Sequence, residues 1–118
     1  MLWTRRVDHR LLGTWRSDAM LTLSEWVFAE GTSDRAKASL TSRFDKLIVR
    51  YTAEQVFTEF EGDQTVCSYR VIAIDPSSVA IVRRTDDGNE IQHIHFTEPS
   101  VLWVSAGRNR EFFRRVKT

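Results

Sequence analysis

Two histidines separated by one residue, His93-Ile94-His95, are the group in this sequence that most suggests chemistry. In an extended strand, residues i and i+2 project to the same face, so both imidazoles can reach one point. Glu98 adds a carboxylate soon afterwards, and the remaining histidine, His9, is distant in the chain. A structural zinc or catalytic iron site takes three or four protein ligands. We therefore interpret the pair as half-buried strand residues and predict no metal or cofactor, with metal binding or axial haem ligation as alternatives.

The sequence contains no recognisable set of nucleophile, base and orienting group. Cys67 is the single cysteine, and its neighbours Ser68 and Tyr69 supply no activating base, so a structural thiol is expected. One cysteine excludes an intramolecular disulfide and fits a reducing compartment. Neither a Gly-x-Ser-x-Gly motif nor a phosphate-binding glycine-rich loop occurs, and the acidic run at 86–89 suits a hairpin turn better than a calcium loop. We predict a non-enzymatic protein with no catalytic residues.

Charge and hydropathy exclude two classes of partner. Seventeen Lys and Arg stand against sixteen Asp and Glu, a formal net charge of +1, far from the basic excess of proteins that bind nucleic acid. No apolar run is long enough for a membrane span, and the amino terminus lacks the features of a signal peptide. We therefore expect a cytoplasmic protein with neither a nucleic-acid nor a membrane partner.

Short runs of β-branched and aromatic residues, separated by turn residues, indicate strands. The predicted strands are Leu12–Ser17, Lys46–Thr52, Gln55–Phe60, Thr65–Ile74, Val79–Thr85, Glu90–Thr97, Val101–Ala106 and Arg110–Val116. From the second strand onward, the connections have hairpin length. Successive strands are therefore expected to pair as antiparallel neighbours in an up-and-down meander.

The segment between the first two strands has a helical pattern instead. Apolar residues recur there every four positions, at Ala36, Leu40 and Phe44. Residues 32–34 can cap a helix, so an amphipathic helix is predicted over 34–43. Residues 19–30 fit neither period, and we expect them to form a shorter helix or an irregular packed segment that ends at Gly31.

An open sheet of eight such strands would leave unpaired backbone groups at both edges. Pairing of the last strand with the first removes these edges. We therefore predict a mainly β fold, an eight-stranded antiparallel barrel with the helical insert across one mouth, and keep an open sandwich as the alternative. The chain has the length of one domain, which is expected to span 1–118 with its core at roughly 10–116.

Two short motifs carry a family resemblance. Leu12-Gly13-Thr14-Trp15 on the first strand and the closing run Arg-Glu-Phe-Phe-Arg-Arg-Val at 110–116 resemble the calycin superfamily of lipocalins and fatty-acid-binding proteins. Within it, the chain is most similar to small bacterial lipocalin-like domains. The resemblance implies that Trp15 closes one end of the barrel beside Gly13, with a basic side chain from the last strand on its ring. Arg114 and Arg115 both fit that role without a known register.

The resemblance weakens at the expected ligand site. Fatty-acid-binding proteins hold a carboxylate with an Arg-x-Tyr on the last strand, and the matching positions here are Glu111-Phe112-Phe113. If Glu111 faces a cavity it would repel a carboxylate and favour a neutral or cationic ligand, whereas facing solvent it carries no information. An inward histidine face would add hydrogen bonding and sensitivity to pH. The candidate ligand-binding residues are His93, His95, Trp103, Glu111 and Phe113.

Three functions remain open from the sequence. The leading hypothesis is a lipocalin-like barrel that binds a small, largely apolar ligand inside, with the 34–43 helix at the portal. The second is a barrel filled by its own side chains that forms a homodimer or docks a partner through Val101–Ala106, because both faces of that strand are apolar. The third is a metal- or haem-binding protein that uses His93 and His95.

Overall fold

A computed structural model describes residues 6–117, so residues 1–5 and 118 of the expected domain lie outside the described residues. Its strands are β1 Gly13–Ser17, β2 Ile48–Tyr51, β3 Gln55–Phe60, β4 Asp63–Ile74, β5 Ser78–Thr85, β6 Gly88–Glu98, β7 Val101–Ala106 and β8 Asn109–Arg115. Each strand pairs with the next, and β8 pairs antiparallel with β1. The predicted closed, eight-stranded antiparallel barrel is confirmed, and closure pairs the first strand with the last.

The strand positions follow the alternation seen in the sequence. β3 and β7 have the predicted bounds, whereas β4 and β6 begin two residues earlier than expected. At the β3–β4 connection, Glu61 and Gly62 have φ angles of 50° and 89°. Positive φ at both central residues is typical of a two-residue type I′ turn, which lets β4 pair with β3 from Asp63 onward.

Two short helices, α1 Ala19–Glu25 and α2 Asp34–Thr41, form the insert between β1 and β2. Asp18 caps α1 by accepting a hydrogen bond from the Leu21 amide at 2.9 Å. Ser33 caps α2 by accepting one from the Ala36 amide at 3.1 Å. The predicted insert is therefore confirmed, with α2 inside the predicted range of 34–43.

Two details of the insert differ from expectation. None of the residues of α2 is buried. Of the predicted stripe only Phe44 is buried, and it lies beyond the helix, packed against Trp26 at 5.2 Å between ring centroids. The helix α1 ends at Glu25, and Gly31 lies in the turn before α2. The predicted apolar stripe has only two members within α2, Ala36 and Leu40, which is too few to bury one face of the helix against the barrel.

Beyond the end of β1, the helix α1 and the residues beside it bond to the backbone of β8. The Asp18 amide donates to the Phe112 carbonyl at 2.8 Å, and the Phe112 amide donates to Thr22 Oγ1 at 2.9 Å. Further along, the Asn109 side-chain amide pairs with both backbone groups of Val27, at 2.8 and 3.0 Å. These bonds satisfy the stretch of β8 that extends past the end of β1.

The core fills the barrel interior with alternate residues of the strands. Buried members of the core cluster include Trp15, Tyr51, Val56, Tyr69, Ile81, Ile94, Leu102 and Phe113. Burying a large apolar side chain contributes about 1.5–3 kcal/mol, so this cluster is the main source of stability. Neighbouring residues on a strand project to opposite faces. Ile94 faces the core, so His93 and His95 lie on the outer face of the barrel.

Trp15 and Arg115 close one end of the barrel. Trp15 is fully buried, and its Nε1 donates to the Leu11 carbonyl at 2.9 Å. The Arg115 guanidinium lies 4.3 Å from the indole ring and donates to the carbonyls of Leu12 and Arg10, both at 2.6 Å. Arg115 is therefore the cation that covers the tryptophan.

Arg114 projects outward, where it forms an ion pair with Asp18 at 2.9 Å. The register explains this choice, because Trp15 pairs directly with Arg115 across the β1–β8 ladder. Gly13 has a φ of 121°, and a Cβ there would lie only 2.7 Å from Arg115 Nη1. Glycine is thus required both by the backbone conformation and by the close approach of the guanidinium.

The segment before β1 is held across the same end. Arg10 forms an ion pair with Asp8 at 2.6 Å and lies over the Phe96 ring at 4.6 Å. It also donates to carbonyls of the β4–β5 connection at Asp75, Pro76 and Ser78. These contacts join the segment before β1 to the β4–β5 connection, and together with Trp15 and Arg115 they form the closed end of the barrel. Among the residues described, no helix is long and apolar enough to cross a membrane.

Candidate functional site

A cavity of about 200 Å³ lies inside the barrel above Trp15. Its apolar lining, here called the apolar wall, consists of Trp15, Leu47, Val49, Leu102, Val104 and Phe113. Drug-sized ligands occupy pockets of about 300–1,000 Å³, whereas a cavity of about 150 Å³ holds benzene. The cavity therefore matches a molecule built on a single ring.

The opposite side of the cavity is polar. Thr58, Thr65, Arg83 and Gln92, here called the polar wall, line it with one side chain from each of the consecutive strands β3, β4, β5 and β6. Thr58 and Thr65 are direct cross-strand partners. Arg83 pairs with Glu90, and Gln92 with Ile81, so Arg83 and Gln92 are diagonal neighbours on the inner face. The interior is thus divided into two walls of different chemistry.

Two atoms of the polar wall have no hydrogen-bond partner in the described protein. Arg83 Nε, a donor, and Gln92 Oε1, an acceptor, are both buried. A buried polar group left unsatisfied costs about 1–3 kcal/mol, and more where it is charged. Both atoms belong to side chains that line the cavity. A molecule in the cavity reaches them once the two side chains turn towards it, because their burial keeps the atoms themselves out of contact with the cavity space.

Arg83 remains a cation inside the barrel. Burial alone would lower its pKa, but hydrogen bonding to Cys67 and the proximity of Tyr51 and Glu90 leave the pKa raised. The three ion pairs found among residues 6–117 do not include Arg83. The cavity thus contains a positive charge that no carboxylate of the described chain neutralises by direct contact.

Glu111 lies on β8, apart from the polar wall. Its Oε2 accepts a hydrogen bond from Ser17 Oγ at 2.8 Å. Burial raises the pKa of Glu111, and this effect exceeds the lowering by the Ser17 hydrogen bond and the Arg43 charge. The carboxyl therefore holds a proton more readily than an exposed glutamate, and its protonated form donates a hydrogen bond without repelling an anion.

Tyr51 adds a phenol to the cavity lining. Its pKa is raised because burial disfavours the phenolate, an effect that the nearby Arg83 only partly offsets. The ring contacts Tyr69 edge-on at 5.7 Å. Tyr51 is therefore a neutral hydrogen-bonding group at physiological pH.

The open end of the barrel lies at the end of α2. The Arg43 guanidinium is 5.7 Å from the Phe60 ring, and Lys46 Nζ lies 3.0 Å from Glu61 Oε1 in the β3–β4 turn. Two acidic residues near this rim each have a cation of the insert beside them. Lys46 pairs with Glu61, and the positive charge of Arg43 acts on the Glu111 carboxyl. The residues that follow α2 thus lie against the rim of the cavity.

The sequence-predicted site residues divide between two faces. Glu111 and Phe113 line the cavity. His95 instead stacks on Trp103 with ring centroids 4.0 Å apart and an interplanar angle of 9°, and Arg110 lies 4.4 Å from the same indole ring. His93 is exposed. The interior histidine face that a site at His93, His95 and Trp103 required is not found, because Ile94, Leu102 and Val104 occupy the inner face.

The outer stack also changes the interpretation of β7. The apolar outer face of this strand suggested a cover from another segment or subunit, but Trp103 is covered by its own barrel neighbours His95 and Arg110. Among residues 6–117, no group of three or more His, Cys, Asp and Glu side chains could hold a metal ion. The histidine pair therefore has no third ligand of these types beside it in the described chain.

Sequence reasoning missed the polar wall. A signal was present on β5, where Val79, Ile81 and Arg83 alternate in one inward-facing set, and on β6, where Gln92 precedes Ile94 in the same set. A charged or amide side chain that continues an apolar alternation is expected to face the interior. Applied to both strands, that rule places Arg83 and Gln92 inside.

A larger cleft of about 860 Å³ lies outside the barrel. It runs between residues 25–30 and the β7–β8 turn, where Asn109 is already bonded to Val27. Its charged lining residues, including Glu30 and Arg108, are exposed to solvent. The interior cavity is the better candidate site despite its smaller volume, because its unpartnered polar atoms are buried.

The closed eight-stranded meander is a lipocalin-like fold. A solved lipocalin-like protein from Bacteroides uniformis ATCC 8492 matches this chain with a TM-score of 0.50 and 14% sequence identity, covering 91% of this chain and 99% of that one. No family model matches the chain, and no curated protein matches it. At this identity, the likeness establishes the fold alone.

Proposed function

We propose that the protein binds a small molecule inside its barrel and acts as a carrier or sensor of that molecule. The observation that carries this proposal is the cavity of about 200 Å³, which is lined by Arg83 and Gln92, two side chains whose buried Nε and Oε1 lack hydrogen-bond partners. A protein interior normally satisfies its polar groups. Two unsatisfied ones on side chains that line the cavity support a site for an external partner.

The apolar wall defines the body of the ligand. Trp15 forms the floor, and Phe113 and Val49 supply flat and branched surfaces beside it. A single ring or a short branched chain buries apolar area against them at about 25 cal/mol per Å². The ligand enters past the residues that follow α2, where Arg43 and Lys46 contact the rim.

A barrel that dimerises through the outer face of β7 is the weaker candidate. Trp103, the largest apolar group on that face, is already covered by His95 and Arg110. A second subunit would have to displace this stack to gain contact. The interior cavity also argues against a completely filled core.

Binding is tested by calorimetric titration with single-ring probes such as phenol, benzyl alcohol and benzoate. Two neighbouring positions on β7 provide matched variants, since Val104 faces the cavity and Ser105 faces solvent. Val104→Phe fills the cavity and should abolish binding, whereas Ser105→Phe adds the same ring outside and should leave binding unchanged. Far-UV circular dichroism establishes that both variants fold.

The proposal fails if no probe binds the wild-type protein. It also fails if Val104→Phe folds and binds a probe as tightly as Ser105→Phe does.

A further inference from the structure

We propose that the ligand is a small carboxylic acid with a hydroxyl or amino group close to its carboxylate, bound with the carboxylate on Arg83 and the neighbouring donor on Gln92. This inference rests on the proposed function and adds the chemical class of the ligand. It follows from which atoms of the cavity lack partners and from where those atoms lie on the sheet.

Arg83 favours a carboxylate on the ligand. Its Nε–H is buried and unpartnered, and no described ion pair neutralises the guanidinium. A guanidinium presents a planar set of N–H donors that matches the two oxygens of a carboxylate, and such charge-assisted bonds are the strong ones. An anionic, planar acceptor is therefore the group that best satisfies this side chain.

Gln92 favours a hydrogen-bond donor on the ligand. Its buried Oε1 can only accept a hydrogen bond, so a ligand oxygen without a hydrogen cannot satisfy it. An O–H or N–H on the ligand can. The ligand thus carries two different groups, an acceptor with negative charge and a neutral or cationic donor.

The sheet register places these two groups near each other. Arg83 pairs with Glu90 and Gln92 with Ile81, which makes Arg83 and Gln92 diagonal neighbours on the inner face of β5 and β6. Diagonal neighbours have Cα atoms roughly 7–8 Å apart, and long side chains from such positions meet. A donor on the atom next to the carboxylate, as in a 2-hydroxy acid, fits this spacing.

Glu111 does not exclude an anion at Arg83. It lies on β8, whereas Arg83 lies on β5, and the Ser17 hydroxyl donates to its carboxylate. The apolar wall lies next to it and receives the rest of the ligand. The sequence-based preference for a neutral or cationic ligand rested on Glu111 alone, whereas Arg83 lines the same cavity.

Three probes separate the contributions of the two groups. Mandelate has a ring, a carboxylate and an adjacent hydroxyl; phenylacetate lacks the hydroxyl; 1-phenyl-1,2-ethanediol lacks the charge. Titration calorimetry should rank mandelate first. Each deletion should weaken binding, by about tenfold or more for the carboxylate, because a charge-assisted hydrogen bond is lost.

Variants assign the effects to residues. Arg83→Met should weaken mandelate binding by about tenfold or more while leaving the diol within about threefold of wild type. Gln92→Leu should reduce mandelate to the affinity of phenylacetate. The matched control Arg84→Met, on the exposed outer face of the same strand, should change neither affinity. If Arg83→Met does not fold, Arg83→Lys keeps the charge without the planar fork and should still weaken mandelate.

The outcomes also distinguish the inference from the proposed function. If the diol binds at least as tightly as mandelate, or a folded Arg83→Met binds mandelate like wild type, the inference is wrong and the proposed function stands. If none of the three probes binds, the inference is wrong, and if phenol, benzyl alcohol and benzoate do not bind either, the proposed function is wrong as well.

Discussion

Two inward-facing arginines, Arg115 and Arg83, lie at different levels of the same barrel. Arg115 stacks on Trp15 at 4.3 Å and donates two hydrogen bonds of 2.6 Å to backbone carbonyls. Arg83 leaves its buried Nε without a partner beside a cavity of about 200 Å³. The same residue type is thus a structural element where it donates to backbone carbonyls and a candidate ligand contact where a buried donor has no partner.

The largest expected effect is at the closed end. Trp15→Ala should lower the free energy of unfolding by about 3–5 kcal/mol, because it empties the largest fully buried position and removes the surface on which Arg115 stacks. Urea denaturation followed by far-UV circular dichroism measures the loss. Trp103→Ala, on the half-exposed outer stack, is the control and should cost clearly less. Equal losses would mean that Trp15 has no special role in closing the barrel.

Replacing each arginine by methionine tests the comparison directly. Arg115→Met should lower the free energy of unfolding by about 1–3 kcal/mol, because two carbonyls lose their donor and the indole loses its cation. Arg83→Met should be neutral or stabilising, since it removes a buried N–H donor, Arg83 Nε, that lacks a partner. If Arg83→Met is the more destabilising of the two in the same denaturation experiment, the assignment of a structural role to Arg115 and not to Arg83 is wrong.

Gly13 tests how tightly the closed end is packed. Gly13→Ala should cost about 1–3 kcal/mol, because the position has a φ of 121° and its Cβ would lie 2.7 Å from Arg115 Nη1. Gly107→Ala, with a φ of 61° and no atom within 4 Å of the added Cβ, is the matched control and should cost less. Thermal unfolding midpoints of the two variants measure the difference. Equal midpoints would contradict the close packing of Arg115 against Gly13.

The smallest expected effect is a dependence of stability on pH from Glu111. Burial raises the folded-state pKa of this carboxyl above its usual value of 4.5. The folded state therefore binds a proton more tightly than the unfolded state, and the associated stability is present below about pH 4.5 and lost as pH rises through the folded pKa. Ser17 and Arg43 face the carboxyl and limit the shift. Glu111→Gln should remove this part of the decline in unfolding midpoint between pH 4.5 and 8. An unchanged slope would show that Glu111 does not contribute it.

The barrel could be predicted from sequence because alternation on strands is a local signal. The runs 55–60 and 101–106 gave the bounds of β3 and β7 directly, since turn residues flank both. The Gly13–Trp15 plug was also recognisable from its motif. The choice between Arg114 and Arg115 was not, because it depends on the pairing of Trp15 across the β1–β8 ladder, which no local pattern encodes.

The candidate site was harder to predict than the fold. The histidine pair shares one face, as expected, but the apolar partners Ile94 and Phe96 turn that face outward. The polar wall arises from four consecutive strands whose register brings one side chain from each to the same level, so its members are scattered in the sequence from Thr58 to Gln92. Unsatisfied hydrogen bonds are a property of the packed interior and have no sequence signature.

The contrast between the two arginines can be measured directly by NMR. With uniformly ¹⁵N-labelled protein, the Nε–H signals of Arg83 and Arg115 are assigned by their disappearance in Arg83→Met and Arg115→Met. Addition of mandelate should then shift the Arg83 signal in a saturable manner and leave the Arg115 signal in place. A shift of the Arg115 signal alone, or no shift of the Arg83 signal at saturating mandelate, would contradict the assignment of Arg83 to the ligand site.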